Sequence, residues 1–296
     1  MSKSEEPVAV VDLGTNSCLL LVGRRGAEGL EVLLDRSEVP RMGEGLDRTG
    51  RVGPPALERL RTVLAGYLEE ARALGASGIK VGGTAALRRA TNQAEVLAAL
   101  AGPGIELEVI DEEREARMGW LAAAPATGVL DVGGGSTEVA LDGGRAWASA
   151  PVGATVLVER VADAGSGKFT ELVEEARRVL AAAYKDLAVS GTEGWVALGG
   201  TPTNLASLCM GLSGFDHLAV EGTVCTASDA ARWGAELAER SLEDRLELPI
   251  EASRARVLHG GMAILVAAME HLGLFEVRVT GRGLRYGYLS ECLDLR

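Results

Sequence analysis

Two short segments of this 296-residue chain carry the same set of chemical groups at the same internal spacing. Val10-Val11-Asp12-Leu13-Gly14-Thr15-Asn16-Ser17 places an aspartate at the end of an apolar run, a glycine two residues on, and then hydroxyl and amide side chains. Val129-Leu130-Asp131-Val132-Gly133-Gly134-Gly135-Ser136-Thr137 repeats the arrangement, with its aspartate 119 residues later. A turn of this kind can aim several backbone N–H groups and a hydroxyl at one anion, and its glycines let the backbone approach without a Cβ clash. The aspartate would repel a phosphate placed directly against it, so its chemistry is to hold a divalent cation or an ordered water. One such turn alone is compatible with an ordinary hairpin. Two in register, each opening a run of strands, indicate an internal duplication. A third segment, Val196-Ala197-Leu198-Gly199-Gly200-Thr201-Pro202-Thr203, reads as strand, Gly-Gly and helix start. A helix amino terminus suits a phosphate, although Thr201 or Thr203 could equally be a simple cap.

The surrounding pattern supplies the elements that must position these groups. Strands are expected at 8–11, 18–22 and 30–34, joined by tight glycine-containing turns. Pro54-Pro55 opens a helix whose Leu57, Leu60, Leu64, Tyr67, Leu68 and Ala71 form one apolar face, with Gly75 as its stop. A strand over 78–81 precedes Gly82-Gly83-Thr84 and a further helix, and Asn92 is expected to cap the helix after it. Strand 105–110 leads into a helix capped by Asp111. After Ala122-Ala123-Ala124-Pro125 the pattern restarts with strands at 129–130, 137–141 and around Trp147, the latter two joined by a hairpin turn at Asp142-Gly143-Gly144. Helices are then expected at about 168–187, 203–210, 228–238 and 253–272, interrupted by strands at 194–198 and 277–280. The domain boundary is placed near Ala124.

Composition excludes several classes of function. The chain is 47% hydrophobic and 24% charged, which describes a folded globular protein and not a disordered one. Its formal charge of −12, from 30 basic and 42 acidic residues, argues against duplex nucleic acid as a partner. No stretch reaches the roughly 18 apolar residues of a membrane span, and the charged start Met-Ser-Lys-Ser-Glu-Glu-Pro has no apolar region of a secretory signal behind it, so the expected location is the cytoplasm. Cys18, Cys209, Cys225 and Cys292 show no zinc spacing and read as buried free thiols, and three histidines leave little scope for histidine-based metal chemistry.

Together these residues resemble the acetate and sugar kinase, heat-shock ATPase and actin superfamily, and within it the exopolyphosphatase and guanosine pentaphosphate phosphohydrolase family. The resemblance runs through most of the chain: Asp12 to Ser17, Arg41-Met42-Gly43-Glu44-Gly45-Leu46, Ala86-Leu87-Arg88-Arg89-Ala90-Thr91-Asn92, Glu108-Val109-Ile110 with Glu115-Ala116-Arg117, Asp131 to Glu138, and Gly283-Leu284-Arg285-Tyr286-Gly287. It implies an α/β fold of two actin-like (ribonuclease H-like) domains with a cleft between them. Residues 1–124 would form domain I and 125–296 domain II, with a last helix at about 285–296 packing back on domain I.

The activity it implies is Mg2+- (or Mn2+-) dependent removal of terminal orthophosphate from inorganic polyphosphate. Alternatives are hydrolysis of guanosine pentaphosphate to the tetraphosphate, an actin-like ATPase, or a sensor that only binds such ligands. Partners are then polyphosphate or guanosine penta- and tetraphosphate, with a homodimer possible. The resemblance assigns Glu115 as catalytic base or water orienter, with Asp131 and Glu138 catalytic and metal-binding and Asp12 a third metal ligand. Phosphate would be cradled by Gly14, Thr15, Asn16 and Ser17, by Gly133, Gly134, Gly135, Ser136 and Thr137, by Gly199, Gly200 and Thr201, and by the Arg88 guanidinium. Arg41 and Arg285 are candidates for holding the distal substrate chain. Arg114 stands where relatives commonly carry glutamate, Tyr286 replaces the acid of a Leu-Arg-Glu-Gly motif, Cys18-Leu19 replace Phe-His, and Gly200-Thr201-Pro202 alters the third loop.

Overall fold

A computed structural model describes residues 6–27, 29–163, 168–189 and 191–295. The chain divides into two compact units, Met1–Ala122 with Leu284–Arg296, and Ala123–Gly283. The first unit opens with β1 (Val8–Leu13), β2 (Cys18–Gly26) and β3 (Gly29–Glu38), followed by α1 (Leu46–Thr49) and α2 (Pro54–Ala73). Prolines at the first helical positions leave no backbone N–H unsatisfied there, which is why α2 starts where it does. Its Ala56, Leu60, Leu64, Tyr67 and Ala71 recur at three and four and are buried on one face. The Tyr67 hydroxyl donates to the Cys18 carbonyl at 2.7 Å and so ties α2 to the start of β2.

Next come β4 (Ile79–Gly83), α3 (Ala85–Arg89), α4 (Gln93–Leu100), β5 (Ile105–Val109) and α5 (Glu112–Ala123). The sheet order is β3-β2-β1-β4-β5, antiparallel through β3, β2 and β1 and parallel from β1 to β5. Asn92 precedes α4, yet its side chain does not cap it. Its amide instead accepts from the Val52 N–H at 3.0 Å and donates to the Val52 carbonyl at 3.1 Å, pinning the loop before α2.

The second unit repeats this order. It runs β6 (Gly128–Val132), β7 (Thr137–Leu141), β8 (Ala146–Ala150), α6 (Ala154–Asp163), α7 (Phe169–Ala183), β9 (Trp195–Leu198) and α8 (Gly200–Met210). β10 (Val224–Thr226), α9 (Ala227–Glu239), α10 (Leu242–Leu246), α11 (Leu258–Leu272) and β11 (Glu276–Val279) complete it. Its sheet order is β8-β7-β6-β9-β11-β10, so the first five strands reproduce the β3-β2-β1-β4-β5 order of the first sheet with the same strand senses. β10 is an added antiparallel edge.

Six elements differ from the sequence expectation. α1, α6, α10 and β10 were not expected. α8 begins at Gly200 and not at 203, because Pro202 is tolerated in a first helical turn, so Thr201 lies within the helix. α11 begins at Leu258; residues 252–254 form a separate 3₁₀ turn closed by Arg254 N–H to the Glu251 carbonyl at 2.8 Å. α11 is apolar on nearly every side and is buried almost throughout, as such a helix must be.

The final helix, α12 (Leu284–Cys292), belongs to the first unit. Leu284, Tyr288, Leu289 and Leu293 are buried with Val10, Leu21, Ile110 and Met118 in a small core of their own. Arg114, at a position where relatives commonly carry glutamate, is the polar counterpart of that packing. Its guanidinium bonds Glu108 at 2.5 Å and Glu291 at 2.6 Å, while the Tyr288 hydroxyl donates to Glu108 at 2.6 Å. No described helix is long and apolar enough to cross a membrane.

Candidate active site

The two Asp-x-Gly turns fold alike. In the first, Gly14 N–H donates to the Ser17 carbonyl at 3.0 Å; in the second, Gly133 N–H donates to the Ser136 carbonyl at 3.1 Å. Each turn is held from outside, the first by the loop after β3 and the second by the first residues of α6. Arg41 N–H bonds the Asn16 carbonyl at 3.0 Å and Gly43 N–H the Thr15 carbonyl at 2.8 Å. In the second unit, Ala154 N–H bonds the Gly133 carbonyl at 2.9 Å and Thr155 N–H the Gly134 carbonyl at 3.0 Å. Securing the carbonyls in this way fixes the peptide planes and leaves opposed N–H groups to receive an anion. Thr137, just past the second turn, is tied down by its hydroxyl to the Val152 carbonyl at 2.6 Å and by the Tyr184 hydroxyl to its own carbonyl at 3.0 Å.

Three buried donors beside these turns have no partner among the described residues: the Asn16 amide nitrogen in the first turn, the Thr155 hydroxyl at the start of α6 and the Thr201 hydroxyl at the start of α8, the last packed against Gly261. Leaving a buried donor unmet costs about 1–3 kcal/mol, which a phosphate oxygen bound at the first turn would recover for Asn16.

Glu115 and Arg88, predicted separately, meet directly. Arg88 Nη1 donates to Glu115 Oε2 at 2.5 Å and to the Ile110 carbonyl at 2.8 Å. Burial raises the Glu115 pKa above the ordinary carboxylate value; Arg88 opposes this and Glu112 adds to it. A desolvated carboxylate whose basicity is increased in this way suits a general base. Arg88 Nε and Nη2 have no partner among the described residues and could grip phosphate oxygens.

Asp131 and Glu138 lie directly opposite each other on β6 and β7, so both carboxylates emerge on one face of the sheet. Glu138 is 4% exposed and accepts from the Ser149 hydroxyl at 2.9 Å. Two like charges at neighbouring positions are unfavourable unless a cation joins them, and Mg2+ takes one or two carboxylates with water and substrate phosphates completing its shell. The donor set fits that ion. No three His, Cys, Asp or Glu side chains gather as a ready-made cage among the described residues. The position opposite Asp12 is Leu19, so the duplication left the first unit with one carboxylate where the second has two.

Gly199 joins the second turn to the third loop. Its φ is +92°, and a Cβ there would lie 2.8 Å from the Val132 carbonyl oxygen and 2.9 Å from Asp131 Oδ1. A Gly199→Ala variant should therefore lose about 1–3 kcal/mol of stability through backbone strain. It should also lose most of its metal-dependent activity, because the added methyl displaces the Asp131 carboxylate; thermal melts and a Mg2+ titration of phosphate release check both.

Sequence reading missed Arg254. Its guanidinium carbon lies so close to the first residue of α8 that a Cβ on Gly200 would sit 2.1 Å from it. Arg254 Nε is 3.4 Å from Glu251 Oε2, and Glu251 is fixed to α8 through Asn204 at 3.1 Å. A helix start with an arginine laid against it is a stronger anion site than either alone. The only signal was an arginine a few residues before Gly260-Gly261, and nothing in the sequence couples it to Gly200. Arg254→Ala is expected to raise KM for a phosphate-chain substrate at least about tenfold, with the melting temperature as a control on folding.

The two distal arginines part company. Arg41 is exposed, with φ +52° and no side-chain partner among the described residues, so it stays available to a substrate. Arg285 is buried, and its Nε and Nη2 are held by Asp35 at 2.9 and 2.8 Å. Tyr286, the other departure, donates its hydroxyl to the same Asp35 at 3.0 Å. Arg285 thus joins α12 to β3 through Asp35, and its expected hold on the substrate chain stays a proposal.

Exopolyphosphatase 2 of Mycobacterium tuberculosis is 31% identical over 283 residues, covering 87% of this chain and 88% of its own. The crystal structure of the Aquifex aeolicus Ppx/GppA family member superposes with a TM-score of 0.76 at 29% identity, covering 98% of each chain. An exopolyphosphatase from Cytophaga hutchinsonii shares the fold, with a TM-score of 0.83 at 19% identity over 98% of each chain. The architecture is accordingly α/β and actin-like. Residues 21–295 match the model of the Ppx/GppA phosphatase family, a span that holds the second turn with Asp131 and Glu138, and the chain belongs to this family.

Proposed function

We propose that this protein is an exopolyphosphatase, releasing terminal orthophosphate from inorganic polyphosphate with the help of a divalent metal ion. The observation that carries the reading is the pair of Asp-x-Gly turns closed by the same hydrogen bond, one with an orphaned buried amide, accompanied by a buried glutamate whose pKa is raised. The 31% identity to a mycobacterial exopolyphosphatase supports the choice of substrate.

The proposal gives these residues the following roles. N–H groups of residues 14–17 and 133–137 hold phosphate oxygens, and the start of α8 with Arg254 holds another phosphate of the chain. Glu115 takes a proton from water as its oxygen bonds to the terminal phosphorus, and the shortened chain departs with the electrons of the broken P–O bond. Arg88 both steadies Glu115 and offers its remaining nitrogens to the transferring phosphoryl. Asp131 and Glu138 would hold Mg2+ or Mn2+, and Asp12 is the corresponding candidate ligand of the first unit; the bound ion would supply charge neutralisation at the phosphoryl oxygens.

The test is a side-by-side measurement of kcat/KM for medium-chain polyphosphate and guanosine pentaphosphate. Faster turnover of polyphosphate supports the reading. Turnover of the pentaphosphate alone would reassign the substrate while leaving the chemistry in place.

A further inference from the structure

The helix that carries Glu115 is held from behind by the last helix of the chain. Arg114, Arg117 and Met118 recur at three and four along α5, so they share one face, and all three meet α12. Arg114 Nε and Nη2 bond Glu291 Oε1 at 2.9 and 2.6 Å, and Arg117 Nη2 bonds the other oxygen, Oε2, at 3.0 Å. One carboxylate near the end of α12 thus ties down two arginines of α5 across 177 and 174 positions of sequence. The backbones also touch. A Cβ on Gly287 would lie 1.9 Å from the Met118 carbonyl oxygen, so only glycine lets α12 lie this close.

The same helix supports the anchor of Arg88. Ile110, whose carbonyl receives Arg88 Nη1 at 2.8 Å, is buried in one small core with Leu284, Tyr288 and Leu289 of α12. Tyr288 bonds Glu108 at 2.6 Å, and the Arg114 guanidinium lies over the Tyr288 ring, 5.5 Å from its centre.

We propose that Arg114 and Glu291 are positioning residues for Glu115, their ion pair fixing the helix from which that carboxylate reaches its water. The inference rests on the reading of Glu115 as the general base.

The physical case is one of placement. Glu115 follows Arg114 directly on a rigid helix, so any slide or rotation that the Arg114–Glu291 link prevents would carry the Glu115 carboxylate with it. A base must lie within hydrogen-bond reach of the proton it takes, and a misplacement of about 1 Å costs on the order of 10² in rate. Arg88 holds one Glu115 oxygen but does not fix where α5 lies. A glutamate at position 114 would set like charge against Glu108 and Glu291, so the arginine found here makes a link that an acid could not. The Arg114 and Glu291 side chains are 25% and 27% exposed, and a pair that wet adds little to stability. Its loss should therefore register in kcat before it registers in the melting temperature.

The test is a double-mutant cycle in the full chain, reading kcat and KM for medium-chain polyphosphate with thermal melts as the control on folding. Glu291→Arg sets like charge against Arg114 and Arg117, and should lower kcat at least about tenfold while KM changes by less than about twofold. In a Glu115→Gln background the same substitution should lower the residual kcat by less than about twofold, because the group it displaces is already inactive. Arg114→Met removes one link without adding repulsion and should repeat the pattern at smaller size; if Glu291→Arg does not fold, this variant decides by the same comparison. Equal fold losses in the two backgrounds would overturn the inference and leave Glu115 as the base. So would a wild-type kcat in a folded Glu291→Arg. A Glu115→Gln variant as fast as wild type would instead overturn the base reading, and the positioning role with it.

Discussion

Glu115→Gln should cut phosphate release by on the order of 10²–10⁴ while leaving polyphosphate binding nearly unchanged. Glutamine keeps the shape and can still accept the hydrogen bond from Arg88 Nη1, so the fold and the arginine's position are preserved. What it lacks is the ability to take a proton from water. The direction of the pH dependence follows from the environment. Burial raises the Glu115 pKa, and the base must be ionised to act, so activity falls as pH drops through a value above the ordinary carboxylate range. Arg88 works against that rise. Replacing it with methionine removes the opposing charge, so the acid limb of the pH–rate profile should move to still higher pH. A limb that stays put in Arg88→Met would show that another group controls it.

Asp131→Asn should raise the Mg2+ concentration needed for half-maximal rate and lower the saturated rate by on the order of 10²–10³. The cause is the cross-strand register: Asp131 and Glu138 face each other, and removing one charge relieves their repulsion while dismantling the cation site. Two effects of opposite sign on stability follow. Without metal, the variant should melt no lower than wild type, because an unfavourable like-charge pair is gone. With metal, only wild type should gain stability, since binding to the folded state alone raises its melting temperature. Comparing melts with and without Mg2+ separates a lost ligand from a damaged fold. Glu138→Gln should behave in the same way but more weakly, because Ser149 already holds one of its oxygens.

Much of the site could be read in the sequence because its groups sit on short, contiguous turns. Asp12 to Ser17 and Asp131 to Thr137 announce themselves by residue type and order, and the 119-residue interval predicts two like halves. The α2 face was equally plain, since its apolar spacing is set by the helix alone. What stayed hidden depends on residues far apart in the chain. Asp35 and Arg285 are 250 positions apart, and nothing in either segment marks one as the other's partner. Arg254 meets Gly200 only through the folding of the 3₁₀ turn that precedes α11. Asn92 looked like a cap because its residue type favours that role, but the Val52 peptide offered both a donor and an acceptor and won. β10 has three residues, too few for alternation to stand out from a loop.

The central claim is endwise phosphate release, and the most direct measurement follows polyphosphate of defined length on a sizing gel alongside orthophosphate appearance, with Mg2+ and then with EDTA. The account predicts orthophosphate as the only early product, a substrate band that shortens without scattered intermediate fragments, and no reaction in EDTA. Internal fragments appearing before orthophosphate, or release that is indifferent to the chelator, would contradict it.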